Sequence, residues 1–298
     1  EVNLEKVNVI NAPPDPQYGR LSTGGSGSIR KNFKKLLQVG ASTKETLMKA
    51  AAKIWNVELD ECFAKNGEVI HKNTNRSLTY GELANTASNI KPSSTPKPKN
   101  YDDYQLIGKS SQRIDISEKV NGSSIYGMDV RIPGMLHAVI RQSLIRGGTL
   151  TEYNKKGALN VNGVKAVVPI PGQQVVLKKY PEAIAVVASS NWQAMKGMEV
   201  LNPIFKGGDT LNLSSNKIDK IFKQEINKIK FPEKNVSKKT FEVEYDTPLY
   251  AHTTLEPLNF TVNYTDNHCE VWGPTQSQTD LEFYIKELTG FSSDKIKI

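Results

Sequence analysis

Between Glu242 and Gln278 the chain alternates apolar and polar residues in short runs, and a period of two places side chains on opposite faces of a strand rather than along one helix face. The runs Phe241 to Tyr245, Leu258 to Tyr264 and His268 to Trp272 predict three strands, separated by the turn residues Asp246, Pro248, Asp266 and Asn267. His252, Glu256 and Gln276 then fall at strand ends or in connections. Connections on a rigid sheet are where binding groups concentrate, so this stretch predicts a site without yet naming its chemistry.

A chain of 298 residues can bury a substantial core, and at roughly 150 residues per domain it divides into two units. No run of about 18 apolar residues predicts a membrane span. The formal charge of +8 raises the question of nucleic acid. Its lysines cluster only at Lys31 to Lys35 and Lys217 to Lys239, without the aromatic platform that base stacking requires. A solvated basic face or a surface for an acidic partner subunit fits better. Cys62 and Cys269 are too few and too far apart for an iron-sulfur cluster, which normally takes four cysteines, so any such cluster is expected on another chain. The chain begins at Glu1 without methionine and stops at Ile298 inside an apparent strand, Lys295 to Ile298. It is therefore expected to be a piece of something longer, with any signal peptide upstream.

The first region carries a strand pattern at Val2 to Ile10, a turn at Pro13, Pro14 and Pro16, and a glycine-rich segment from Thr23 to Ser28. The apolar series Ile29, Phe33, Leu36, Leu37, Leu47, Ala51 and Ile54 then has helical spacing. Gly40, with a second possible cap at Ser42 and Glu45, leaves one long helix or two short ones open. Asn66-Gly67 predicts a hairpin, and Thr79 with Glu82 a capping box for a helix to about Asn89. Lys91 to Asn100, rich in proline and serine, reads as a linker. Beyond it, strand patterns lead to a helix capped at Asn191, and a lysine-rich crossing contains a helix at Ile218 to Ile229. The fold class is α+β.

Thr23, Gly24, Gly25, Ser26, Gly27 and Ser28 stand directly before a helix start, where backbone N–H groups lack intrahelical partners and carry about half a positive charge. Such a terminus suits a phosphate, and it equally suits a flexible cap with no ligand. Gln276 precedes a helix at Thr279 to Leu288, and its amide suits either a metal-oxo ligand or a cap on that helix. The four histidines are scattered, so no metal-ligand set is predicted, and no G-x-S-x-G elbow predicts a serine hydrolase. Cys269 reads as core.

The segments Ala251-His252, Leu255-Glu256-Pro257, Asn259 and Glu270-Val271-Trp272-Gly273-Pro274-Thr275-Gln276 together resemble the molybdenum-binding subunit of the xanthine dehydrogenase and aldehyde oxidase family. The wording is most similar to its isoquinoline 1-oxidoreductase beta-subunit branch. The resemblance implies a molybdopterin cofactor in the full-length protein, in its cytosine dinucleotide form, held by Thr23, Gly24, Gly25, Ser26, Gly27 and Ser28 and by Gln276. It implies a permuted order: residues 1–95 as one segment of the molybdopterin-binding domain, 96–104 as linker, 105–206 as a hammerhead-type α/β domain, 207–239 as a surface connection, and 240–298 as a second molybdopterin-binding segment. Arg113, Asp115, Lys119, Gly122, Tyr126, Asp129 and Pro133 carry the hammerhead likeness.

The activity so implied is oxidation of an aldehyde or aromatic N-heterocycle with oxygen from water, and transfer of electrons to a small 2Fe-2S subunit. The family's general-base glutamate is expected beyond the chain end, so no catalytic residue is assigned. This stretch alone is expected to be inactive and able to be empty of cofactor. A periplasmic or envelope location, with the cytoplasm as the other choice, follows from the same branch. The competing class is a basic envelope or assembly module without cofactor. If the permuted order holds, Thr23 to Ser28 and Gln276 face one cleft.

Overall fold

The computed structural model describes residues 2, 6–175, 178–229, 241 and 243–298. In chain order the elements are α1 (Gly27–Trp55), β1 (Cys62–Lys65), β2 (Glu68–His71), β3 (Ser77–Thr79), α2 (Tyr80–Ser88) and α3 (Ile116–Asn121). Next come β4 (His137–Gln142), β5 (Thr149–Glu152), α4 (Lys155–Leu159), β6 (Val164–Ile170), β7 (Gln173–Val175), β8 (Lys178–Tyr180), β9 (Ala183–Ala188), α5 (Asn191–Leu201), β10 (Ile204–Lys206) and α6 (Ser215–Asn227). The last are β11 (Thr261–Tyr264), β12 (Cys269–Trp272), α7 (Gln278–Thr289) and β13 (Ile296–Lys297). Helices thus mix with small sheets whose pairings are antiparallel except for β12 with β13.

Residues 1–128 and 259–298 form one compact unit, and residues 129–258 form a second. In the first unit, α1 runs unbroken through Gly40, which decides between one helix and two. A Cβ at Gly40 would meet nothing within 4 Å, so the glycine there costs propensity but no packing. The second half of α1 buries Leu47, Ala50, Ala51 and Ala52 against Cys62, Val69 and Leu83. The Asn66-Gly67 turn joins β1 to β2, both residues having positive φ, as the hairpin signal predicts.

The capping box is present. Thr79 Oγ1 accepts from the Glu82 N–H, and the Glu82 carboxylate accepts from the Thr79 N–H at 2.8 Å. Hydrogen bonds from the Thr79 hydroxyl and amide hold the Glu82 carboxyl below its ordinary value of 4.5. A depressed carboxylate contributes stability above its unfolded pKa and loses it as pH falls through the folded value. Thr79→Ala therefore is expected to lower stability by about 1 kcal/mol at neutral pH. The difference from wild type should shrink below pH 4, a trend that urea denaturation at several pH values measures directly.

A second core of the first unit lies under β11, β12 and α7, where Cys269, Val271 and Ile285 are buried with Leu281, Phe291 and Ile296 around them. In the second unit, β9 is the central strand between β4 and β6. Its sequence Ala183 to Ala188 is apolar throughout, and every residue of it but Val187 is buried. Ile184 and Val186 pack with Met198 and Leu201 of α5 and with Ala158 of α4. The cap of α5 is Ser190, whose Oγ accepts from the Gln193 N–H, and not Asn191, which is the first helical residue.

Two expected strands are not seen among the described residues. Lys6 to Ile10 contain no strand, and Val9 and Ile10 are exposed; the rest of that pattern, apart from Val2, lies outside the described residues. Phe241 and Val243 to Tyr245 likewise have no ladder partner and stay exposed. Alternation specifies which face a side chain would take, but a strand also needs a neighbour to satisfy its amides. The lysine-rich crossing is described only to Ile229, and its helix starts earlier than the pattern suggests, at Ser215. No helix among the described residues is long and apolar enough to cross a membrane.

Candidate functional site

The glycine-rich segment enters α1 through an unusual backbone. Gly25 has φ +59°, a left-handed conformation that glycine adopts without steric cost, and Ser26 follows at φ 51°. Ser26 occupies the N-cap position but makes no side-chain capping bond, whereas α2, α4, α5, α6 and α7 are each capped by a side-chain oxygen. The first turn of α1 also holds no acidic residue. Its N-terminal partial charge is therefore left without a local anion.

Gly24 has neither a positive φ nor a neighbour within 4 Å of where a Cβ would sit, and the same space is open at Gly25. Nothing in the described packing requires Gly24, so open approach to its backbone is what the missing side chain provides. Gly27 is buried beneath Lys31, whose side chain folds back to place Nζ 3.4 Å from the position of a Gly27 Cβ. A cation laid over a helix amino end is unfavourable unless an anion joins it, so the donor set of glycine amides, serine hydroxyls and Lys31 suits a phosphate. The sequence pattern marks Lys31 only as part of a solvated basic cluster. The signal that could have found it is its spacing of four residues from Gly27, which puts both on one helix face.

The structure brings the two expected binding segments together. The Thr23 N–H donates to the Gln276 backbone carbonyl at 2.7 Å, although 253 residues separate them. Three further bonds tie the same loops: Leu21 N–H to Thr279 Oγ1 at 2.9 Å, Ser277 Oγ to the Leu21 carbonyl at 3.3 Å, and Arg20 to Asp280 at 2.8 Å. That pairing raises the Arg20 pKa above its ordinary value. Ser277, not Gln276, caps α7 by accepting from the Asp280 N–H. The capping role considered for Gln276 is thus filled by its neighbour, and the Gln276 side chain is exposed with no hydrogen bond among the described residues.

The segments adjoin on an exposed surface and do not line an enclosed cleft, since all of Thr23 to Ser28 except Gly27, and Gln276, are exposed. A cavity of about 1370 Å³ in the same unit lies elsewhere, lined by Leu37, Lys44, Asn66, Tyr80 and Tyr104 among others. His252 and Glu256 belong to the second unit, in a segment without regular structure; His252 is exposed and Glu256 half-buried. Among the described residues no three His, Cys, Asp or Glu side chains gather as a metal site. Cys62 and Cys269 are buried free thiols whose pKa burial pushes up, the state of inert core cysteines.

No family model matches the chain. It is 27% identical over 94% of its length to the isoquinoline 1-oxidoreductase subunit beta of Brevundimonas diminuta, covering 41% of that protein. The curated proteins it resembles are consistent with the xanthine dehydrogenase family. It is also 23% identical, over 94% of its length and 38% of the relative's, to a protein of Gluconacetobacter polyoxogenes named membrane-bound aldehyde dehydrogenase [pyrroloquinoline-quinone]. Over a shorter stretch, 29% of the chain and 24% of the relative, it is 31% identical to the nicotinate dehydrogenase large molybdopterin subunit of Eubacterium barkeri. The chain thus spans about two fifths of the first two relatives. A solved Cu,Mo-CO dehydrogenase matches 63% of the chain and 30% of its own at 16% identity, with a TM-score of 0.37.

Proposed function

We propose that the chain forms part of the large subunit of a molybdenum hydroxylase that oxidises aldehydes or aromatic N-heterocycles and passes electrons to an iron-sulfur subunit. The observation that carries this reading is the 2.7 Å bond between Thr23 and Gln276. It joins the two segments that the family resemblance assigns to one cofactor. Thr23, Gly24, Gly25, Ser26, Gly27 and Ser28, with the amides of α1 and Lys31, hold the phosphate end of a molybdopterin, in its cytosine dinucleotide form. The Gln276 carboxamide, able both to donate and to accept, orients toward the metal end. When bound, the group supplies two-electron oxidation with oxygen taken from water.

The residues of this chain bind and orient; none is assigned to move a proton. The resemblance assigns residues 105–206 to the hammerhead-type domain of the same subunit, although the compact units divide the chain after Met128 and Leu258, and an envelope location follows from the same branch. The basic, cofactor-free module remains the competing class, and expression separates the two. The full-length protein, produced with its natural partner in a host that makes molybdenum cofactors, is expected to carry about one molybdenum and one pterin per chain by elemental analysis and pterin fluorescence. Oxidation of an aldehyde or N-heterocycle in ¹⁸O-labelled water should place label in the product. Protein free of both metal and pterin supports the module, and pyrroloquinoline quinone in their place moves the chain to the class named for the Gluconacetobacter relative.

A further inference from the structure

We infer that Arg20, Thr279 and Asp280 are positioning residues that hold the glycine-rich segment against the Gln276 loop, an assignment that rests on the proposed cofactor site. The geometry is a clamp built from two distant stretches of chain. Arg20 Nη2 lies 2.8 Å from Asp280 Oδ2, and Thr279 Oγ1 accepts from the Leu21 N–H at 2.9 Å. Ser277 closes the arrangement by donating to the Leu21 carbonyl while its Oγ accepts from the Asp280 N–H.

Residues taken in chain order on one side thus meet residues in reverse order on the other: Arg20, Leu21 and Thr23 against Asp280, then Thr279 and Ser277, then Gln276. Such a pairing sets the separation between the amino ends of α1 and α7, because Thr23 and Gln276 stand only a few residues before the two helix starts. A ligand gripped by both ends binds well only when that spacing is already correct, since ordering two loops at the moment of binding costs affinity. Neither Arg20 nor Asp280 need touch the ligand. Each acts through the loop it fixes.

Their side chains are 68% and 40% exposed, so one broken ion pair changes the loop equilibrium by a small factor. The test uses the full-length protein with Arg20→Asp, Asp280→Arg, the double reversal, and Thr279→Val. Hydrogen exchange at the Leu21 and Thr23 amides should quicken about threefold in each single variant, with molybdenum and pterin retained through gel filtration falling by a similar factor. The thermal midpoint of Arg20→Asp should stay at the wild-type value, because the pair lies outside the buried cores, whereas Asp280→Arg also sets a cation at the amino end of α7 and should lower it slightly. The double reversal should recover much of both losses relative to Asp280→Arg alone, which a general disturbance of the fold would not do. Unchanged exchange, or faster exchange with unaltered retention in a loaded wild-type background, overturns the clamp's role. Wild-type protein free of molybdenum and pterin overturns the functional reading itself, and exchange at the two amides still reports whether the clamp exists.

Discussion

Gly273→Ala is expected to destabilise the protein by about 1–3 kcal/mol and to disturb the Gln276 loop at the same time. A Cβ at Gly273 would stand 2.8 Å from the backbone oxygen of Asn259 and would overlap the ring of Phe260. The ring is half exposed and can swing aside. The carbonyl cannot, because it belongs to the chain leading into β11, whose Thr261 pairs with Trp272 immediately before the glycine. The strain therefore falls on the stretch from Pro274 to Gln276, three residues downstream. Denaturant titration should show the loss of stability, and faster exchange at the Thr23 amide should show that the displaced loop no longer offers the Gln276 carbonyl. A variant as stable as wild type with unchanged exchange would mean that the close approach is relieved elsewhere.

The largest loss of stability is expected from Ile184→Ala, at about 2–5 kcal/mol. Ile184 is fully buried as the second residue of β9, with Arg141 opposite it on β4 and Pro169 on β6. Its side chain packs in the cluster that includes Met198 and Leu201 of α5, so removing three carbons leaves a cavity that two helices and a sheet would have to collapse to fill. Val168→Ala, on a neighbouring strand but 45% exposed, should cost far less. Equal midpoints for the two variants in thermal denaturation would contradict the assignment of the core.

Several elements are legible in local chemistry alone. The Asn66-Gly67 hairpin and the Thr79-Glu82 cap depend only on residues within a few positions of each other, and both are present. The strands at Thr261–Tyr264 and Cys269–Trp272 and the helix Gln278–Thr289 fall within or close to the stretches that their periodicity marks. The same periodicity misleads at Phe241 to Tyr245, where the described residues are exposed and unpaired in any ladder. The distinction is physical: a turn or cap is satisfied by its own neighbours, while a strand is satisfied only by another strand.

At the candidate site the division is the same. The residue types are readable: glycines and hydroxyls before an apolar-spaced helix, and a glutamine before another. Their juxtaposition is not readable from periodicity or composition, and only the resemblance to a permuted family implies it. The left-handed backbone at Ser26 and the pairing of Arg20 with Asp280 carry no local signature, and the folding back of Lys31 has only its four-residue spacing from Gly27.

The amino-acid order by itself determined where helices could start, where the chain had to turn, and which residues had the chemistry to grip an anion, because each of these is an interaction among near neighbours. Only the tertiary structure decided that Thr23 would meet Gln276, that Ser277 rather than Gln276 would cap α7, and that β9 would be the covered central strand. Those outcomes depend on which distant surfaces can be buried together, and burial is a property of the assembled unit that no short stretch of sequence contains.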